Sequence, residues 1–228
     1  MKPSIQFVKR EDGVKIAYSI IGRGEPLVCP APWVTSLSYV FEDRFAKEFW
    51  GQLSQELKVI SYDKHGCGQS DKDRRDFTLE AELLDLETVI NHLGLTEFNL
   101  LGSSMAGPVA IAYTSRHPEK VTRLILYGTY ASGKNLSAED VKSALISLIK
   151  ASWGLGSKAI ADIFLPRGNM EELQSLARFQ RESSSPEIAA KLFELAGAFD
   201  VTALLSGIKI PTLVLHREGD KVIKVDHG

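Results

Sequence analysis

Glu97-Phe98-Asn99-Leu100-Leu101-Gly102-Ser103-Ser104-Met105-Ala106-Gly107-Pro108-Val109-Ala110-Ile111 decides how the chain is read. An apolar run from Phe98 to Leu101 stops at small residues, and Met105, Val109, Ala110, Tyr113 and Thr114 then recur at helical spacing up to His117-Pro118. That pattern is strand, sharp turn, helix, with a serine at the turn. A strand that reverses at once into a helix forces its apex residue into an unfavourable backbone conformation and demands small residues two places before and after. Centred on Ser104 the flanks are Gly102 and Ala106, a Gly-x-Ser-x-Ala variant with Gly107 one place on. Centred on Ser103 they would be Leu101 and Met105, which are too bulky. Ser104 is therefore the candidate nucleophile, lifted beside a helix N-terminus where partial positive charge favours a developing oxyanion. A glycine- and serine-rich turn that only joins a strand to a helix is the plainer reading of the same residues.

Outward from this turn, strands and helices alternate. Ile5 and Phe7, then Val14, Ile16, Tyr18 and Ile20, flank Asp12-Gly13, a hairpin signature. Leu27-Val28-Cys29 forms a short buried strand followed by the loop Pro30 to Ser36, placed where open parallel sheets bind ligands. Phe45, Phe49, Trp50, Leu53 and Leu57 mark an amphipathic helix, and Leu57 to Tyr62 the next strand. Asp63 to Ser70 is a glycine-punctuated loop read as structural, since no glycine-rich loop here runs into a helix with the lysine pair of a phosphate site. Thr78, Glu80 and Glu82 open a helix that ends at Gly94, and Val121 to Tyr127 is a further buried strand.

Such alternation implies a mostly parallel sheet covered on both faces. From Ser132 to Gly207 the pattern is helical throughout, with helices expected over Ala138 to Trp153, Lys158 to Leu165, Met170 to Glu182 and Pro186 to Phe199. Residues 132–207 are thus expected to form a cap that excludes water and shapes a pocket. The core is divided into a first part, 1–131, and a second, 208–228, where Pro211 to Leu215 resumes the sheet.

With 228 residues, 44% of them hydrophobic and 25% charged, the chain can bury one sizeable core. A net charge of −2 leaves no electrostatic footprint for nucleic acid or an anionic membrane, so neither is expected as a partner. No apolar run is long enough to span a bilayer and Met1 to Gln6 has no apolar signal core, so a cytoplasmic protein is expected. Cys29 and Cys67 lack metal-ligand spacing, and neither a disulfide, a metal nor a cofactor is expected.

Over nearly its whole length the chain resembles the α/β-hydrolase fold family. The carrying residues are the opening hairpin, Asp63-x-x-Gly66-x-Gly68-x-Ser70, Leu100-Leu101-Gly102-x-Ser104-Met105-x-Gly107, the helical insert, and Pro211-Thr212-Leu213-Val214-Leu215-His216-x-x-x-Asp220. Trp33-Val34 with Glu42-Asp43, Tyr62-Asp63-Lys64 and Leu126 to Tyr130 resemble hydrolase-like domains found with adenylyl cyclase or helix-turn-helix regulators. The resemblance implies Ser104 as nucleophile, Asp220 rather than Glu218 as the acid supporting a histidine, and an oxyanion hole from the N–H groups of Met105 and Trp33. Proline has no N–H, so Pro30 and Pro32 cannot donate; Ala31-Pro32 stands where the family often has His-Gly.

In this fold the histidine follows the acid after one further strand. Only His227 follows Asp220 before Gly228, so the base and the last strand are expected beyond this chain, with the C-terminal part of the fold missing and Thr212 to Leu215 left as an exposed edge. His227 is expected to begin a helix, and His216 to be structural. The implied activity is a serine hydrolase acting on an ester or similar small acyl substrate through an acyl-enzyme. The alternative is a non-catalytic ligand-sensing or regulatory module using the same pocket. Self-association through the cap or the exposed sheet edge is a further expectation.

Overall fold

The computed structural model describes residues 4–40, 42–134 and 136–227. The N-terminal reading of Met1 to Pro3 lies outside these residues, as does the side chain of Phe45 within its helix. The chain order is β1 (Ile5–Lys9), β2 (Lys15–Ile21), β3 (Glu25–Cys29), α1 (Leu37–Val40), α2 (Arg44–Glu56), β4 (Leu57–Asp63), α3 (Leu79–His92), β5 (Phe98–Ser103), α4 (Ala106–Arg116) and β6 (Val121–Tyr127). Four helices follow, α5 (Glu139–Ala151), α6 (Trp153–Phe164), α7 (Met170–Ser183) and α8 (Pro186–Ala198), and then β7 (Thr212–Leu215).

One sheet in the order β1-β2-β4-β3-β5-β6-β7 results. β1 pairs antiparallel with β2 and β2 with β4, while every pairing from β4 to β7 is parallel. Gly13 at φ 94 makes the hairpin turn, a conformation costly for any side chain. Alternation along the central strands sends Val28, Ile60, Tyr62 and Leu100 into the main core and Leu27, Cys29, Val59 and Leu101 into a smaller cluster with Trp50 and Leu53 of α2. Thr78 caps α3 by accepting from the Ala81 N–H at 3.2 Å, and Gly94 follows its end at φ 61.

The boundary between the first two helices of the insert differs from the sequence expectation. The first helix of the insert does not reach Trp153: Ser152 leaves the helical conformation, at φ -155 and ψ 89, and Trp153 rather than Lys158 begins α6. The break lets α6 fold back so closely that a Cβ on Gly156 would lie 2.9 Å from the Ile149 Cα, an approach that a continuous helix forbids. His227 lies in a 3-10 turn, Val225–His227. Among the described residues no helix is long and apolar enough to cross a membrane.

β7 is an edge strand with all four residues exposed. Its Leu213 and Leu215 are register neighbours of Ile125 and Tyr127, and this sheet face leaves Leu213 52% and Tyr127 46% exposed. Exposed apolar edges promote association. Replacing Leu213 and Leu215 by lysine is expected to lower concentration-dependent light scattering with the circular dichroism unchanged. Unaltered scattering would show that this face does not drive association.

Candidate functional site

Ser104 follows β5 at φ 50, and it is the one non-glycine residue with positive φ among the described residues. Such a conformation costs on the order of 1–3 kcal/mol and persists only where the surroundings over-determine it. Here they do. The Ser104 N–H donates to the Tyr127 carbonyl at 3.2 Å, and its carbonyl accepts from the Gly107 N–H at 3.1 Å and from the Thr129 hydroxyl at 2.5 Å. The end of β6 therefore clamps the turn from both sides.

The small flanks have direct steric reasons. A Cβ on Gly102 would stand 2.7 Å from the Ala110 Cβ and 3.0 Å from the Ala106 carbonyl oxygen. A Cβ on Gly107 would stand 1.8 Å from Thr129 Oγ1. Gly107 is thus the residue that admits the clamp. Gly107→Ala is expected to destabilise by about 2 kcal/mol, read from the thermal midpoint, with Thr129→Ala in the same chain recovering part of the loss. Equal stability of Gly107→Ala and the parent would remove Thr129 from this role.

The loop after β3 is held from two directions. The Trp33 indole N–H donates to the Ala189 carbonyl at 2.9 Å, and its ring meets Trp153, Phe164 and Phe193 edge-on at 6.2, 6.0 and 5.6 Å. That ring is wall and core, binding the loop to the helical segment. From below, Asp63 accepts from the Leu37 N–H at 2.9 Å and the Gln69 N–H at 2.8 Å. Burial raises the Asp63 carboxyl above the usual range, with those two amides pulling the other way. Gly68, at φ 49, would place a Cβ 1.9 Å from the Asp63 carboxylate, and Ser70 takes the Ala17 N–H while donating to the Asp63 carbonyl. The glycine-punctuated loop is a brace for the site.

Trp33, Ser104 and Met105 line one cavity of about 160 Å³, walled by apolar side chains including Leu145, Ile160, Phe164, Phe193 and Ile223. Among the described residues, neither the Trp33 nor the Met105 main-chain N–H donates to a protein acceptor. Met105 immediately precedes α4, whose first N–H groups have no partner within the helix. A larger groove of about 1020 Å³, bounded by Tyr39, Phe179 and Arg217, shares Lys221 with this cavity but does not include Ser104.

Asp220 is not on the cavity wall, although the three residues after it are. Its Oδ1 accepts from the Val222 and Ile223 N–H groups, both at 2.9 Å, and Arg217 donates to Oδ2 at 3.3 Å. Among the described residues no histidine lines the cavity. His65 faces Asp73, His92 meets the Tyr18 hydroxyl, His117 lies between Glu87 and Glu119, and His216 Nε2 donates to the Ile223 carbonyl at 2.7 Å. The sequence offers no sign that Thr129, within Leu126 to Tyr130, or Lys134, Lys142 and Lys221 belong to the site, because tertiary packing brings them there.

A mostly parallel sheet with an antiparallel opening hairpin, and a strained serine between β5 and α4, define an α/β-hydrolase type of architecture. The family model for the alpha/beta hydrolase fold matches residues 43–194, and the chain belongs to that family. It is 27% identical over 233 residues to the AB hydrolase superfamily protein YisY of Bacillus subtilis, covering 96% of this chain and 83% of that protein. It is 35% identical over 136 residues to a proline iminopeptidase of Lactobacillus acidophilus, covering 56% of this chain and 44% of that one. The esterase EaEST from Exiguobacterium antarcticum superposes with a TM-score of 0.84 at 25% identity, covering 97% of this chain and 84% of that chain. The family and these neighbours support a hydrolase.

Proposed function

We propose that the chain is a serine hydrolase acting on an ester or similar small acyl substrate through an acyl-enzyme at Ser104. The observation that carries this reading is the strained Ser104 opening into an apolar cavity beside the free N–H groups of Met105 and Trp33. Ser104 Oγ attacks the acyl carbon, the two N–H groups stabilise the oxyanion, and the alkoxide leaves with a proton. Water then cleaves the acyl-enzyme, releasing the acid. Residues 132–207 act as a cap over the core formed by 1–131 and 208–228, and Asp220 supports an imidazole base.

A general base for the Ser104 proton belongs to this reading, and none of the described histidines lines the cavity. The second reading is a ligand-sensing module that binds in the same apolar cavity without turnover. Intact-mass analysis after an activated fluorophosphonate, with and without added imidazole, separates the two. A single adduct on Ser104, formed faster with imidazole, supports the hydrolase. A folded protein that forms no adduct in either condition overturns it.

A further inference from the structure

The charged residues on the Ser104 cavity wall are all of one sign. Lys134, Lys142 and Lys221 line it, and no aspartate or glutamate does among the described residues. Lys134 is 73% exposed and pairs with Asp200 at 3.1 Å, so solvent screens its charge. Lys142 pairs at 3.5 Å with Glu139, a largely exposed carboxylate one turn away on α5, while its own side chain is only 23% exposed. Lys221 is exposed and makes no ion pair among the described residues. Lys221 thus has no acidic partner among the described residues, and the less exposed Lys142 has only the solvent-exposed Glu139.

A glycine makes room for one of them. A Cβ on Gly197 would lie 3.0 Å from Lys142 Nζ and 3.1 Å from its Cε, so the lysine stem runs along a wall that any larger residue would fill. Gly197 itself lines the cavity. Lys142 approaches from α5 and Lys221 from the loop after β7, so a single anionic group reaching both would tie the helical segment to the sheet. Apart from Ser104, Tyr130 and Ser137 the remaining wall is apolar, and there a charge-assisted hydrogen bond gains strength that it lacks in open water.

Building on the hydrolase reading above, we propose that the substrate is a carboxylate-bearing ester, the half-ester of a short dicarboxylic acid, with its free carboxylate held by Lys142 and Lys221 while Ser104 attacks the ester carbonyl. A volume of about 160 Å³ matches cavities that take a benzene-sized group, so the acyl body is short. Water and the half-ester anion give the dicarboxylate, the alcohol and one proton. Cationic acyl compounds are rejected by the same lysines.

The test uses the Ser104→Ala protein, which binds without turnover, and compares monoethyl glutarate with diethyl glutarate by titration calorimetry and ligand-observed NMR. The anionic half-ester is expected to bind about tenfold more tightly. That ratio is expected to fall towards one in a Lys142→Met, Lys221→Met version and to shrink as salt is raised. Equal or tighter binding of the diester, a ratio that survives loss of both lysines, or binding of neither compound overturns the proposal. Fluorophosphonate labelling of the parent protein is scored separately. An adduct on Ser104 without carboxylate preference overturns this inference alone, whereas carboxylate preference without an adduct keeps the anion site and overturns the hydrolase reading.

Discussion

Ser104→Ala is expected to reduce fluorophosphonate labelling from a single adduct to none, while moving the unfolding free energy by less than about 0.5 kcal/mol. The hydroxyl is the one group lost, and the side chain is only partly buried, so no cavity and no orphaned partner are created. The left-handed backbone at φ 50 remains, because its clamps from Tyr127, Gly107 and Thr129 are made to main-chain atoms. In a complete serine triad, loss of the nucleophile costs on the order of 10⁶-fold in turnover, so any ester cleavage that survives in Ser104→Ala comes from binding and the free N–H groups alone. Persisting adduct formation at undiminished rate would place the nucleophile elsewhere.

Glu82→Ala is expected to be the most damaging single change to stability, about 3–5 kcal/mol. The Glu82 carboxylate is buried between Lys64 Nζ at 2.5 Å and Arg74 Nη2 at 2.7 Å, with the three side chains 1%, 0% and 1% exposed. Arg74 also donates to the His65 carbonyl at 3.1 Å, and Asp85 beside it accepts from the His65 N–H at 2.8 Å and from Arg10 at 2.8 Å. Removing Glu82 leaves two cations in the interior without a counter-charge, a loss comparable to a small domain's whole stability. Glu82→Gln, which keeps the shape, is the milder companion for quantitative work.

The pH dependence carries the sign. Burial opposes ionisation of Glu82, but Lys64 and Arg74 outweigh it and hold the carboxyl below the ordinary glutamate range. Its contribution is therefore present above that range, about pH 4.3, and is lost as pH falls through the lower folded value. Asp63 and Asp85 shift the other way: burial raises both, so each gives up stability as pH climbs from the ordinary aspartate value to its raised one. Urea midpoints of the parent and Glu82→Gln are expected to converge on acidification. A gap that stays constant would mean that Glu82 is not ionised in the folded protein.

The contrast between Ser104 and Glu82 shows which kinds of information are local. Gly102, Ser104 and the apolar spacing on either side announce a strand–turn–helix because backbone strain and helical periodicity depend on neighbours in sequence. The Asp12-Gly13 hairpin and the Thr78 cap were legible for the same reason. Glu82 reads in sequence as an acidic residue in a helix's first turn, at home in solvent. Its burial follows from Lys64 and Arg74 arriving from the loop after β4, a meeting that no local pattern encodes. The break expected at 154–157 falls at Ser152 instead, where α6 can fold back and pack Gly156 on Ile149.

By itself, then, the sequence determined the alternating strands and helices, the sharp turn at Ser104 and the family to which the chain belongs, because these rest on spacing and on residues adjacent in the chain. Tertiary structure alone decided that Thr129 clamps the turn through the space left by Gly107, and that Asp63 braces the loop carrying Trp33. It also decided that lysines from α5 and from the loop after β7 share a cavity with Ser104. Each of these joins residues far apart in sequence, and their distances are set by how the sheet and the helical segment pack, not by any preference that the residues carry singly.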